Sequence, residues 1–257
     1  MALNPPLPAW SDCRIWVIGA SSGIGAATAK ALLEAGARVA LSARNARELT
    51  EVAGSNPRAL VEPLDFTDRD ALRAAWQRIR AAWGDVDLVL IVAGTHVEMR
   101  AWDLDADAAD ALLRTNLHGP IGTCAVVLPA LLAQGHGAIG IVSSVAGYRG
   151  LPKALLYGAS KAALINFAEA LYLDVHPRGL GVYLIDPGFV KTPLTDRNEF
   201  EMPALISAED AAGAILDGLR AGRFEIHFPR RFTLVMKLMR LLPYRWYFAL
   251  VHRATGQ

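Results

Sequence analysis

The chain has 257 residues, 53% of them hydrophobic and 20% charged, with a formal net charge of +1. That composition supplies the core of one large α/β domain, and it excludes a disordered chain, a strongly basic polyanion binder and an acidic tail protein. The balance hides an asymmetry: residues 223–257 carry seven Arg or Lys against one Glu, a local charge of +6, which leaves −5 on the preceding 222 residues.

The N-terminal MALNPPLPAW has neither a basic nor an apolar leader segment. Strand and helix signals then alternate. Residues 13–20 (CRIWVIGA) read as a strand and 23–36 as a helix ending at Gly36. A strand at 38–44 precedes a helix at 45–55, and a strand at 58–65 precedes a helix at 68–84. A fourth strand spans 86–94, and two separate helices are expected at 106–116 and 120–134. A fifth strand covers 137–144, a helix 157–175 and a sixth strand 181–188. A helix capped by Ser207 spans 207–222, with acids in its first turn, and a seventh strand covers 223–229. Continuous apolar strands alternating with helices define a single-domain, Rossmann-like doubly wound parallel sheet of about seven strands, with helices on both faces. The domain is expected over 1–228, with a basic amphipathic helical extension over 229–257 belonging to the same unit. No apolar run is expected to span a bilayer. Cys13 and Cys124 read as buried thiols, consistent with a reducing compartment, and the expected location is cytoplasmic.

In such sheets ligands sit at the carboxyl ends of the strands. The first strand is followed there by GASSGIG: Gly19, Ser21, Ser22, Gly23, Ile24 and Gly25 open a helix. Glycine permits the tight turn and close approach of a pyrophosphate, while the helix N-terminus supplies N–H donors. The second strand ends LSARN, with Arg44 where NAD enzymes carry an acid for the ribose hydroxyl. A guanidinium suits a 2′-phosphate, so NADP(H) is expected over NAD(H), unless Arg44 simply faces solvent. Asp65 either accepts from the adenine amino group or merely ends its strand. Tyr157 and Lys161 lie one helical turn apart and share a face. Either both reach solvent or the ammonium favours a phenolate, lowering a pKa that is ordinarily ~10.

Taken together, GASSGIG at 19–25, AG at 93–94, TN at 115–116, SSVAG at 143–147, YGASK at 157–161 and DPGFVKT at 186–192 resemble the short-chain dehydrogenase/reductases over nearly the whole chain. The resemblance implies a tetrad of Asn116, Ser144, Tyr157 and Lys161, with Ala93 and Gly94 at the adenosine ribose. It also implies that Pro187 and Gly188 shape a turn from which Val190 and Thr192 meet the carboxamide. Carbonyl reduction needs hydride on carbon and a proton on oxygen; Tyr157 can donate the proton and Ser144 can hydrogen-bond the same oxygen. In one respect the chain departs from the family pattern: Ile91 and Val92 stand where two asparagines are usual.

The substrate wall is expected from His96, Val145, Tyr148, Leu151, Phe189 and Leu194, with a short lid over 193–203. His96 is either a polar contact or a structural histidine. The tail RRFTLVMKLMRLLPYRWYFALVHR can pack on its own subunit, cover the cleft, join an oligomer or lie on the inner membrane surface. Its cations are interleaved with leucines, which argues against nucleic acid. The family resemblance implies a homodimer or homotetramer through helices near 120–134 and 155–175. The expected function is NADP(H)-dependent interconversion of a small-molecule carbonyl and a secondary alcohol, as a reductase of an apolar, lipid or acyl-chain substrate; no metal is expected. The alternatives are an NAD-dependent alcohol dehydrogenase and a non-catalytic NADPH sensor or membrane tether.

Overall fold

A computed structural model describes residues 2–197 and 202–256. Seven parallel strands form one sheet in the order β3-β2-β1-β4-β5-β6-β7. They are β1 Arg14–Ile18, β2 Arg38–Ser42, β3 Ala59–Val61, β4 Leu88–Ile91, β5 Ala138–Val142, β6 Gly181–Pro187 and β7 Glu225–Phe228. The helices are α1 Gly23–Glu34, α2 Ala46–Ala53, α3 Arg69–Trp83, α4 Ala106–Leu113, α5 Gly119–Gln134, α6 Leu155–Val175, α7 Ala208–Arg220, α8 Arg230–Arg240 and α9 Tyr244–Thr255. The chain order reverses between β1 and β4, and a cleft opens there at the carboxyl ends of the strands.

Every residue of β5 and β6 is buried, as a sheet covered on both faces requires. One face packs against α3, α5 and α6 through residues such as Trp76, Val127 and Leu164. The other packs against α1, α2 and α7 through Leu32, Leu49 and Ile215. Trp16 crosses into the first layer, stacked at 5.8 Å on Trp76, and donates Nε1–H to Ser42 Oγ at 2.9 Å. Local signals set the helix starts: Asn45 caps α2, Asp68 caps α3, and Ser207 with Asp210 forms a reciprocal capping box on α7. Cys13 and Cys124 are buried, and burial pushes both thiols up to about 12.

Three expectations need correction. The helices expected at 106–116 and 120–134 are one continuous element, because Arg114–His118 forms a π-helical turn that joins α4 to α5. Wide turns of this kind sit at functional sites more often than elsewhere, and this one carries Asn116. The joined helix, Ala106–Gln134, is long and apolar enough to cross a membrane, contrary to the reading that no run is. Its apolar residues pack instead: Cys124, Val127 and Leu131 belong to the core beneath the sheet. The third strand is also shorter than expected, Ala59–Val61, although Glu62 and Leu64 still donate backbone N–H bonds to Leu41 and Ala43 around the donorless Pro63.

Candidate active site

A cavity of about 1250 Å³ runs along the carboxyl edge of the sheet. Its floor is the turn between β1 and α1. Gly19 has φ +93°, and a Cβ there would lie 2.5 Å from Ala93 N. A Cβ on Gly25 would lie 2.0 Å from Gly19 O, so the turn closes on itself with no room for a side chain. Gly19 and Ala20 donate their N–H groups to Ser42 O, which fixes the turn against β2. Ser21, Ser22, Gly23 and Ile24 line the cavity beside the first turn of α1, whose N-cap Ser22 makes no side-chain capping bond among the described residues. This cradle fits a pyrophosphate.

Arg44 is exposed at the cavity wall, beside Asp65. Asp65 accepts from Thr67 N at 2.9 Å and from Thr67 Oγ1 at 2.8 Å; these bonds hold its carboxyl below the usual range, helped by Arg44. Ala93 and Gly94 line the next stretch, followed by Ser144, Tyr157 and Lys161. Pro187, Gly188, Val190 and Thr192 line the far end, where Thr195 Oγ1 donates to Val190 O at 2.6 Å and steadies the loop.

The four tetrad positions converge from separate elements. Ser144 caps the turn after β5; its Oγ accepts from Ala146 N at 3.1 Å and interacts with Tyr157. Ser143 faces the opposite way and donates to Lys161 O at 2.8 Å. Lys161 is buried and its Nζ donates to Val142 O at 3.0 Å; burial lowers its pKa to about 8. Asn116, fully buried in the π turn, is set behind the cavity wall. It accepts from Thr95 N at 2.7 Å and donates to Thr95 O at 2.8 Å, locking that peptide in both directions. Gly94 separates Asn116 from Lys161: a Cβ there would lie 3.5 Å from Asn116 Oδ1 and 3.4 Å from Lys161 Nζ.

The expected phenolate at Tyr157 is not what the protein's own groups favour. Burial pushes the phenol above its ordinary value, with the Ser144 hydrogen bond only partly opposing. Lys161 Nζ sits 5.7 Å from the ring centroid and donates to Val142 O.

The expected substrate wall is largely displaced. Leu194 lines the cavity, and His96 packs edge-on against the Tyr157 ring at 4.6 Å, kept neutral by burial. Val145 and Leu151 turn into the core around α6. Phe189 packs on Phe232 at 5.7 Å. Tyr148 is buried and donates its OH to Glu225 at 2.8 Å. In the 3₁₀ turn Val145–Gly147, Gly147 packs so tightly on α6 that a Cβ would lie 2.6 Å from Lys161 C, and Val145 and Tyr148 on either side are buried. Of the expected lid, residues 198–201 lie outside the described residues.

Sequence reasoning missed a buried cluster behind the site. Asp186 is fully buried, and among the described residues neither carboxyl oxygen has a well-placed hydrogen-bond partner. Burial and the neighbouring Glu225 raise its pKa to about 8. Glu225 pairs with Lys237 of α8 and accepts from Tyr148. Ile91 and Val92, the departures from the family pattern, are absorbed by packing: Ile91 lies in the core, and Val92 packs beside it and lines the cavity.

A doubly wound parallel sheet with a glycine cradle and a Ser–Tyr–Lys cluster at its switch point defines a nucleotide-dependent oxidoreductase fold. A short chain dehydrogenase family model matches residues 14–202. A protein of Myxococcus xanthus described as an uncharacterized oxidoreductase is 36% identical over 231 residues, covering 88% of this chain and 91% of its own length. A short chain dehydrogenase of Burkholderia cenocepacia, solved in complex with NADP, superposes with a TM-score of 0.82 and 28% identity over 93% of this chain and 97% of its own. A Streptomyces avermitilis short-chain dehydrogenase shares the fold, with a TM-score of 0.80 and 23% identity over 95% of this chain and 98% of its own. The chain belongs to the short-chain dehydrogenase family and is an oxidoreductase.

Proposed function

We propose that this protein reduces an apolar carbonyl compound to a secondary alcohol with NADPH, and that Tyr157 is the proton donor. The observation that carries the reading is the convergence of Ser144, Tyr157 and Lys161 on one wall of a cavity whose floor is a glycine cradle. Gly19, Gly23 and Gly25 would hold the pyrophosphate, Arg44 the 2′-phosphate and Asp65 the adenine. Val190 and Thr192 would orient the carboxamide. A nicotinamide held there would supply the hydride for the carbonyl carbon.

The chain's own residues do the rest. Ser144 Oγ hydrogen-bonds the carbonyl oxygen, and the Tyr157 phenol gives it a proton as charge develops. Burial raises the Tyr157 phenol, so it is held in the protonated form that a proton donor needs. Lys161 would hold the ribose hydroxyls of the bound nucleotide, and Asn116, set behind the wall, would help position that side of the site. The NADP of the Burkholderia relative supports the nucleotide reading. The reading includes a cytoplasmic homodimer or homotetramer in peripheral contact with the inner membrane surface through residues 229–257.

The test is NADPH consumption across a panel of carbonyl compounds weighted toward acyl chains. Tyr157→Phe should lower kcat by about 10²–10⁴-fold while NADPH affinity stays within a factor of two or so, since the group acts as a general acid. A variant that turns over like the wild type would overturn the assignment. Cellular function retained without turnover would favour the sensor reading.

A further inference from the structure

Helix α8 buries Thr233 and Met236 and ties itself down through two cations: Lys237 pairs with Glu225, and the Arg240 guanidinium lies 5.4 Å from the Tyr148 ring. Its leucines turn away. Leu234, Val235, Leu238 and Leu241 form one outward stripe, with Leu238 67% and Leu241 79% exposed. In α9, Tyr247 and Val251 face the protein, whereas Tyr244, Trp246, Phe248 and Leu250 are exposed, Trp246 at 68%. A water-facing helix normally shows the opposite polarity. A contiguous apolar surface of this kind marks a contact.

The hairpin is held firmly enough to present that surface. Arg149 Nη1 donates to the carbonyls of Met239 and Leu242, and its guanidinium sits 4.0 Å from the Tyr247 ring centroid. Tyr247 donates its OH to Gly150 O at 2.6 Å.

The charge around the stripe selects the occupant. Arg230, Arg231, Arg245 and Arg253 are exposed around it, and residues 226–257 contain no Asp or Glu. A second copy docked isologously would bring two such cationic rims together. An anionic bilayer instead receives leucines below the headgroups, arginines at the phosphates, and Tyr and Trp at the interface. We infer that α8 and α9 form a docking surface for an anionic lipid bilayer, with the leucine stripe and Trp246 inserted.

One consequence rests on the reductase reading above. Phe232 of α8 packs on Phe189, and a Cβ on Gly188 would meet Phe232 at 2.9 Å. The inner side of α8 therefore abuts the Pro187–Thr192 side of the cleft, which brings the docked helix next to the route a lipid carbonyl would take from bilayer to site.

The test is co-sedimentation of the full chain with vesicles of phosphatidylglycerol mixed equally with phosphatidylcholine, against phosphatidylcholine alone, at low and high salt. NADPH binding is measured on the same preparations. The expected result is binding to the anionic vesicles that weakens with salt. Arg230→Gln and Arg231→Gln should each weaken it about fivefold. Leu238→Ser with Leu241→Ser should abolish it while NADPH still binds; these side chains are exposed, so folding survives. Folded, NADPH-binding protein that ignores anionic vesicles at low salt would overturn the inference. So would a dimer in solution that the double variant dissociates. Vesicle binding by protein that binds no NADPH would leave the docking standing and overturn the cofactor reading instead.

Discussion

At the scale of single residues, burial is the dominant force on the chemistry. It raises Tyr157 and Asp186 and lowers Lys161, so each group is pushed toward its neutral form. For Asp186 the sign is clear. Its pKa rises from 3.8 to about 8 on folding, so between these values the native state holds a proton that the unfolded chain has released. This contribution to stability is therefore lost as pH rises through that window. Asp186→Asn should be more stable than wild type at pH 8, by about 1–3 kcal/mol, with the difference vanishing below the ordinary carboxylate pKa. Denaturant melts at several pH values check this, and a pH-independent difference would contradict it. The spacing of Tyr157 and Lys161 was legible in the sequence, as was the choice of Ser144 over Ser143. The inward turn of Tyr148 was not. Its partner Glu225 lies 77 residues later, and no local pattern records that pairing.

At the scale of elements, local rules carried most of the architecture. Capping side chains at Asn45, Asp68 and Ser207, and apolar runs bounded by glycine, place strands and helices within a few residues of where they fall. The π turn at Arg114–His118 escaped, because a wider turn has no composition signal of its own. The orientation of α8 escaped for a similar reason: which side faces inward is decided by distant partners such as Glu225, Tyr148 and Phe189. Two elements depend on single side chains. Gly25→Ala would force a Cβ to within 2.0 Å of Gly19 O, so the β1–α1 turn must open. NADPH affinity should fall at least ~10-fold, and stability by a few kcal/mol, on the order of other strained backbone substitutions. Calorimetric titration and melting check both, and unchanged affinity would show that the turn is not the cradle. Arg149→Ala removes the charged clamp on the end of α8. The melting temperature should drop by roughly 4–8 °C, from about 2 kcal/mol of lost hydrogen bonds to a charged group. Proteolysis near Pro243 should accelerate, and an unchanged digest would mean that core contacts such as Met236 suffice.

At the scale of the whole molecule, the parts point one way. A parallel sheet reverses its strand order where the glycine turn, the Ser144–Tyr157–Lys161 wall and the Val190–Thr192 loop meet around one cavity. The C-terminal helices close one flank and carry the excess positive charge outward. The family and its reaction class were legible because the motifs are local and ordered along the chain. The substrate wall was not, because it depends on how loops after three different strands pack together. The most direct measurement is a titration of purified protein with NADPH and with NADH, followed by tryptophan quenching, in wild type and Arg44→Asp. The account predicts tight NADPH binding, at least ~10-fold weaker NADH binding, and loss of that preference in the variant, as a guanidinium–phosphate contact requires. Equal affinities in the wild type, or a preference that survives Arg44→Asp, would contradict it.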